Sequence, residues 1–160
     1  MQNSSFDRAI ISDTSCLIAL TDIGYLDVLK HLYKEIIITP EVATEYKKSL
    51  PDWMIIKEVK NKTKMNEIRE SKPILGIGES SSIALALEIK DSSLILDDEE
   101  ARKYALKLGL TIIGTVSVVG NACDRGYIKS YEKACEDLRK VNFRFSKKIQ
   151  EEVKKSMHRT

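Results

Sequence analysis

Acidic residues occur where the sequence predicts that a strand passes into a helix. Asp13 closes the run 9–12, and Asp97 and Asp98 directly follow the apolar run 93–96. A helix pattern begins immediately after each of these acids. In an open α/β sheet, ligands bind beyond the carboxyl ends of the strands, so these aspartates are expected at that edge. A capping or first-turn aspartate is the structural explanation of the same pattern.

Two glutamates lie beside or on the apolar faces of predicted helices. Glu45 lies beside the stripe formed by Val42 and Tyr46, and Glu79 lies in the first turn of a strong helix, four residues before the inward-facing Ile83. An acid next to a buried stripe is less expected than an exposed one. A partly exposed glutamate and a carboxylate that complements the helix dipole are the structural explanations.

Together these positions allow four carboxylates from distant parts of the chain to converge at one sheet edge. Neighbouring carboxylates repel and raise one another's pKa unless cations neutralise them. A ligand set of oxygens without His or Cys suits Mg²⁺ or Mn²⁺. Such ions activate water and stabilise the negative charge that develops in phosphodiester cleavage. They also make the local charge positive, whereas the carboxylates alone would repel a polyanion.

The elements that would position these acids alternate between strands and helices. The predicted strands are 9–12, 35–39, 53–59, 93–96 and 110–113. This alternation predicts a mostly parallel sheet with helices on both faces. The length of 160 residues predicts a single domain, residues 1–160, in which the helices from about residue 130 pack on the core. In the last helix we expect Ile149, Val153 and Met157 to face inward.

The composition is that of a soluble globular protein, with 42% hydrophobic and 31% charged residues. A net charge of +2 neither identifies nor excludes a polyanionic partner. The chain begins without a charged and apolar leader, and no apolar run approaches the ~20 residues that span a bilayer. We therefore expect a cytoplasmic protein without a membrane partner.

The cysteines, Cys16, Cys123 and Cys135, form no C-x-x-C pair and are expected as small core residues.

The sequence resembles the PIN-domain nuclease family, specifically the PIN-like group often found as toxins of toxin–antitoxin pairs. The stretches that carry the resemblance are IISDTSCLIAL at 10–20, ITPEVATEY at 38–46, GIGESSSIALALE at 76–88, LILDDEEARKYALKLGL at 94–110, IIGTVSVV at 112–119 and NFRFSKKI at 142–149. No single motif is specific, but the ordered set covers most of the chain.

The resemblance implies a three-layer α/β/α sandwich with a mostly parallel central sheet of about five strands. It also implies a ribonuclease that depends on Mg²⁺ or Mn²⁺, with an RNA substrate, a cognate antitoxin and a homodimeric state. The implied catalytic acids are Asp13, Glu45, Glu79 and Asp98, the implied metal ligands are Asp13, Glu79, Asp97 and Asp98, and the implied supporting hydroxyls are Thr14, Ser15 and Thr115. The family often has Thr or Asn before its last acid, where this chain has Leu96-Asp97. Which of Asp97 and Asp98 points inward therefore stays open.

Other Mg²⁺-dependent phosphotransfer proteins of the α/β class fit the residues less well. An aspartyl phosphatase would have D-x-D after the first strand, where this chain has Asp13-Thr14-Ser15. A receiver domain would have an aspartate at the end of the third strand, where this chain has the sequence EVKN at 58–61. A catalytically silent PIN-fold module for binding or oligomerisation remains the alternative. The Lys-rich residues 57–72 are explained as a solvated face or as a contact for phosphates.

Overall fold

The computed structural model describes residues 8–157, and these contain one parallel sheet of five strands. The strands are β1 (Ala9–Ser12), β2 (Ile36–Ile38), β3 (Met54–Ile56), β4 (Ser92–Ile95) and β5 (Ile112–Ile113). Their order in the sheet is β3-β2-β1-β4-β5, and each neighbouring pair runs parallel. Helices flank the sheet, so the predicted α/β/α fold class is confirmed.

The helices connect the strands in the alternation that the sequence predicts. They are α1 (Thr14–Asp22), α2 (Val28–Tyr33), α3 (Pro40–Tyr46), α4 (Lys62–Ser71), α5 (Ile77–Glu88), α6 (Glu99–Lys107), α7 (Thr115–Asp124), α8 (Tyr131–Lys140) and α9 (Lys147–Ser156). Three of the helices begin at a hydroxyl residue that caps them. The hydroxyl groups of Thr39, Ser130 and Ser146 each accept a hydrogen bond from a backbone N–H in the first turn of the following helix. No helix in this part of the chain is long and apolar enough to cross a membrane.

Adjacent residues of the central strands point to opposite sides of the sheet. Ile10 and Ile95 belong to a hydrophobic cluster on one side, whereas Ile11 and Leu94 belong to a cluster on the other. All four side chains are buried. A strand buried on both faces needs apolar residues at every position rather than at alternate ones, and this explains the continuous apolar runs in the sequence.

Helix α5 approaches its neighbours closely because it carries small residues on its buried faces. Ser80, Ser81 and Ser82 are completely buried. The Ser81 hydroxyl lies 2.8 Å from the hydroxyl of Thr39, the residue that caps α3. This close packing holds the first turn of α5 against α3.

The C-terminal helix α9 packs against α7 through a glycine. A Cβ atom added at Gly120 would lie 2.6 Å from Cγ1 of Val153, so the absence of a side chain permits this contact. Val153 and Met157 are partly buried against the core, but Ile149 is 45% exposed. The prediction that Ile149 faces inward is therefore wrong, because this end of α9 borders a groove rather than the core.

The three cysteines are free thiols. Cys16 and Cys135 are buried, as predicted, and Cys123 is only partly buried.

Candidate functional site

A cleft of about 460 Å³ lies at the carboxyl ends of the strands. Its lining residues are Asp13, Thr14, Ser15, Ile18, Glu45, Gly76, Glu79, Asp97, Asp98, Phe143 and Arg144. The acids named from the sequence, together with the hydroxyl residues Thr14 and Ser15, thus lie around one cavity. Thr115, the third hydroxyl residue, is buried next to it and contacts Asp97.

Asp13 lies between the end of β1 and the start of α1 and is only 4% exposed. Its backbone N–H donates to the carbonyl oxygen of Ile95, which continues the pairing of β1 with β4. Its Oδ1 atom is buried without a hydrogen-bond partner in the described part of the chain. Burial raises the pKa of Asp13 from 3.8 to about 7, and the charges of Glu79, Glu45 and Asp97 add to this rise.

Glu45 on α3 is fixed by donors from two other helices. The Thr14 hydroxyl donates to Oε1, and the Gly78 N–H donates to Oε2 over 3.1 Å. A Cβ atom at position 78 would lie 2.3 Å from Oε1 of Glu45. The absence of a side chain at Gly78 therefore allows the carboxylate to bind the backbone of α5.

Glu79 lies in the first turn of α5 and accepts a hydrogen bond of 2.9 Å from the backbone N–H of Gly76. This contact is the one that a helix-start glutamate is expected to make. Burial raises the pKa of Glu79, and the charges of Asp98 and Glu45 raise it further.

The two adjacent aspartates after β4 have different surroundings. Asp97 accepts hydrogen bonds from the backbone N–H and the hydroxyl of Thr115, whereas Asp98 caps α6 by accepting from the N–H of Ala101. Burial raises the pKa of Asp97. The charge of Asp97 acts on Asp13, and the charge of Asp98 acts on Glu79. Both aspartates line the cleft, with Asp97 on the side of Asp13.

The carboxylates provide suitable ligand atoms for a cation, but they are not gathered around one point. Within residues 8–157, no three His, Cys, Asp or Glu side chains form a group that could hold a metal ion. Glu45, Glu79, Asp97 and Asp98 each accept hydrogen bonds from separate protein donors. The unpaired Oδ1 of Asp13 is the exception, and the all-oxygen donor set fits Mg²⁺ or Mn²⁺ in its chemistry.

Phe143 and Arg144 also line the cleft, but from the sequence they were quoted only within the stretch NFRFSKKI at 142–149 and were given no role. Phe143 and Arg144 lie in the connection between α8 and α9 and form part of the cleft wall. The only local signal was an aromatic and basic stretch, NFRF at 142–145, between two predicted helices. Their place at the cleft depends on how α8 and α9 pack.

A parallel α/β/α sandwich with carboxylates around the carboxyl edge of its sheet has the architecture of the PIN domains, a class with a nuclease-type fold. The model of one such family, DUF3368, described as a PIN domain, matches residues 9–159. The chain therefore belongs to the PIN domain family, as the resemblance indicated. No curated protein sequence matches it. PIN domains typically use divalent metal ions.

We expect Asp13→Asn to stabilise the metal-free protein at pH 8. Because the pKa of Asp13 is about 7 in the folded protein and near 3.8 when unfolded, the folded state keeps a proton that the unfolded state loses. The free energy of unfolding therefore falls as pH rises from about 4 to about 7, by on the order of 4 kcal/mol from this group. The neutral amide avoids this loss. Urea unfolding in EDTA at pH 5 and pH 8 measures the difference.

The matched control for this experiment is Asp52→Asn, which changes an exposed aspartate just before β3, at the amino ends of the strands. The control should follow the wild type at both pH values. Equal stabilities of the wild type and Asp13→Asn at pH 8 would contradict the raised pKa of the buried Asp13 carboxyl group.

We expect Gly78→Ala to displace Glu45 while leaving the fold intact. The new Cβ would overlap the end of a flexible side chain, so the carboxylate can move away and lose its bond to the backbone of α5. Helix propensity favours alanine by about 1 kcal/mol, which offsets part of the disturbance. Thermal unfolding and a crystal structure of the variant measure the two effects.

Gly76→Ala is the control, because its Cβ would lie at an ordinary distance of 3.8 Å from Glu79 Oε1. A crystal structure in which Glu45 keeps its contacts in Gly78→Ala would refute the steric argument.

Proposed function

We propose that this chain is a divalent-metal-dependent endoribonuclease that hydrolyses RNA phosphodiester bonds with Mg²⁺ or Mn²⁺. The observation that supports this most is the buried Asp13, which lines a cleft with four further carboxylates and whose Oδ1 atom has no hydrogen-bond partner among residues 8–157. PIN domains are generally nucleases, and this agrees with the proposal.

A cation offsets the main energetic problem of the cleft. Burial and mutual repulsion raise the pKa of Asp13, Glu79 and Asp97, so the ionised cleft is unfavourable by itself. When bound, a divalent ion supplies activation of water and stabilisation of the negative charge on the reacting phosphate.

The residues of this chain would divide the work between ligands and supporting groups. We assign Asp13, Glu79, Asp97 and Asp98 as ligands and Glu45 as the supporting acid. Glu79 and Asp98 would exchange their backbone N–H partners at the helix starts for the ion.

Hydroxyl groups would keep the acids in position. Thr115 directs Asp97 through two hydrogen bonds, and Thr14 directs Glu45 through one. Ser15 lines the cleft next to Thr14 and completes the set of supporting hydroxyls. Mutation of a residue that holds a metal ligand in position typically lowers metal affinity or activity by about 10- to 100-fold.

We also propose a biological setting, which the resemblance to PIN-like toxins supports. In this setting the chain is the toxin of a toxin–antitoxin pair, binds a cognate antitoxin, forms a homodimer and acts in the cytoplasm. Light scattering of the purified protein measures the oligomeric state, and co-expression with the product of an adjacent gene tests the antitoxin.

A catalytically silent PIN-fold module is the second candidate. The observation that favours it is that the other four carboxylates of the cleft already accept hydrogen bonds from the protein, and that residues 8–157 hold no ready-made group for an ion. Such a module would bind a partner without requiring the acids to rearrange.

Cleavage of a mixed-sequence single-stranded RNA with Mg²⁺ or Mn²⁺ tests the proposal. We expect cutting by the wild type and at least about 100-fold slower cutting by Asp13→Asn, because a ligand matters at least as much as the groups that support it. Calorimetry with Mn²⁺ provides an independent readout. If the wild type neither cuts RNA nor binds Mn²⁺, the silent module is the better description.

The same assay separates the two aspartates after β4. Asparagine caps a helix as well as aspartate does, so Asp98→Asn keeps the start of α6 and removes only the charge. We expect Asp97→Asn to lower the rate more than Asp98→Asn, because Asp97 lies on the side of Asp13. The reverse order would assign the inner position to Asp98.

A further inference from the structure

A second groove of about 630 Å³ adjoins the acidic cleft. The two cavities share Asp97, Asp98, Phe143 and Arg144 in their walls. The second groove continues between the start of α6, the start of α7 and helix α9. The two cavities together have more volume than a single phosphate group requires, and Phe143 and Arg144 belong to the border between them.

The border residues lie in a well-defined turn, residues 141–146, which we call the α8–α9 turn. Asn142 has a positive φ of 66°, and its N–H donates to the carbonyl of Arg139. The N–H of Phe143 donates to the carbonyl of Leu138 over 3.0 Å. These two bonds form a Schellman motif, which fixes the direction of the chain after α8. Ser146 then caps α9.

Side chains of α8 hold the other half of the turn. The guanidinium of Arg139 lies 4.0 Å from the centre of the Phe145 ring. The same group donates to Oε1 of Gln150 on α9 over 2.6 Å. The Tyr131 hydroxyl donates to the carbonyl oxygen of Gln150 over 2.7 Å. The turn is therefore braced from both helices, and Arg139 provides this support without any contribution from Arg144.

Arg144 is exposed and makes no hydrogen bond or ion pair with the described residues, although the same cleft contains five carboxylates. Its guanidinium is thus available to an anion from solution. Guanidinium groups bind phosphate through two parallel hydrogen bonds. By contrast, two lysines of the basic segment 57–72 pair with nearby acids, Lys62 with Glu58 and Lys64 with Glu67.

Phe143 places an aromatic ring beside this free cation. The ring is partly exposed, lines both cavities and lies 6.0 Å from the ring of Phe145 at an angle of 41°. Unpaired bases of single-stranded nucleic acids stack on aromatic side chains in this kind of setting.

We propose that Arg144 and Phe143 form the substrate-binding border of the site. Arg144 binds a phosphate that flanks the bond to be cut, and Phe143 stacks on a neighbouring base. One strand of RNA thereby passes from the acidic cleft into the second groove. The identity of the strand as RNA rests on the proposed function, whereas the roles of the two residues rest on the geometry of the α8–α9 turn.

Binding of a short, fluorescently labelled single-stranded RNA tests the role of Arg144, with anisotropy measured in EDTA and again in Ca²⁺. We expect Arg144→Gln to weaken binding by at least about 10-fold and to make the salt dependence shallower by about 0.7 for each lost phosphate contact. The matched control is Arg125→Gln, which changes an exposed arginine just after α7, at the opposite edge of the sheet. The control should bind like the wild type.

Phe143→Leu tests the stacking contact, because leucine keeps an apolar side chain but removes the ring. We expect about 5- to 100-fold weaker binding of the ordinary oligonucleotide, the range typical of one stacked base. Wild type and Phe143→Leu should bind an abasic oligonucleotide equally. Circular dichroism melting confirms that the variant is folded, and a loss that is the same for both oligonucleotides would overturn the stacking role.

These outcomes separate the inference from the nuclease proposal. If the wild type does not cut RNA but Arg144→Gln still weakens binding, the nuclease proposal fails and the inference stands. If Arg144→Gln binds like the wild type, or the wild type binds RNA in neither EDTA nor Ca²⁺, the inference is overturned. The affinity for Mn²⁺ should be the same in wild type and Arg144→Gln, and a change in it would show that Arg144 acts through the carboxylates instead of on the strand.

Discussion

The parallel pairing of β1 with β4 is the constraint on which the site depends. Their register pairs Ser12 with Ile95, so the chains leave the sheet side by side and carry Asp13 and Asp97 to the same edge. Bringing two carboxylates together in a poorly hydrated place is unfavourable. The protein around them lessens this penalty for Asp97 through Thr115, and leaves Asp13 with an oxygen that no described group satisfies. A buried oxygen without a partner lowers the stability of the fold, and the proposed function would explain why it is kept.

Small side chains bring the remaining acids to the same edge. Gly78 and the buried serines 80–82 let α5 pack closely against α3 and the sheet. As a result, the carboxylates of Glu45 on α3 and Glu79 on α5 enter one cleft, although they lie far apart in the sequence. The hydroxyl groups of Ser80 and Ser81 donate to the backbone carbonyls of Gly76 and Gly78, which lets these two polar residues occupy an interior position.

The sequence was sufficient to predict those features that depend on local patterns and on the rules of parallel sheets. The α/β/α class followed from the alternation of elements, and the positions of Asp13 and Asp97 at the cleft followed from acids at strand ends. The different surroundings of Asp97 and Asp98 could not be predicted, because both residues follow β4. They differ in their hydrogen bonds: Asp97 accepts from Thr115, which belongs to another element, whereas Asp98 accepts from Ala101 in the next helix. Arg144 was not predicted for a similar reason: its place depends on the packing of α8 and α9, which no local pattern encodes. The exposure of Ile149 shows the same limit, since helical periodicity gives a face but not what lies opposite it.

The sheet ends on both sides in very short strands, and this affects how copies of the chain can meet. The edge strands β3 and β5 contain three and two residues, respectively. Ile55 and Ile56 of β3 are exposed apolar residues, and a longer strand with such side chains would invite another chain to extend the sheet. Strands this short have few free backbone N–H and C=O groups with which a strand of another chain could form hydrogen bonds. The fold is thereby protected against growth into extended sheets, and its helical faces are left as the surfaces for specific association.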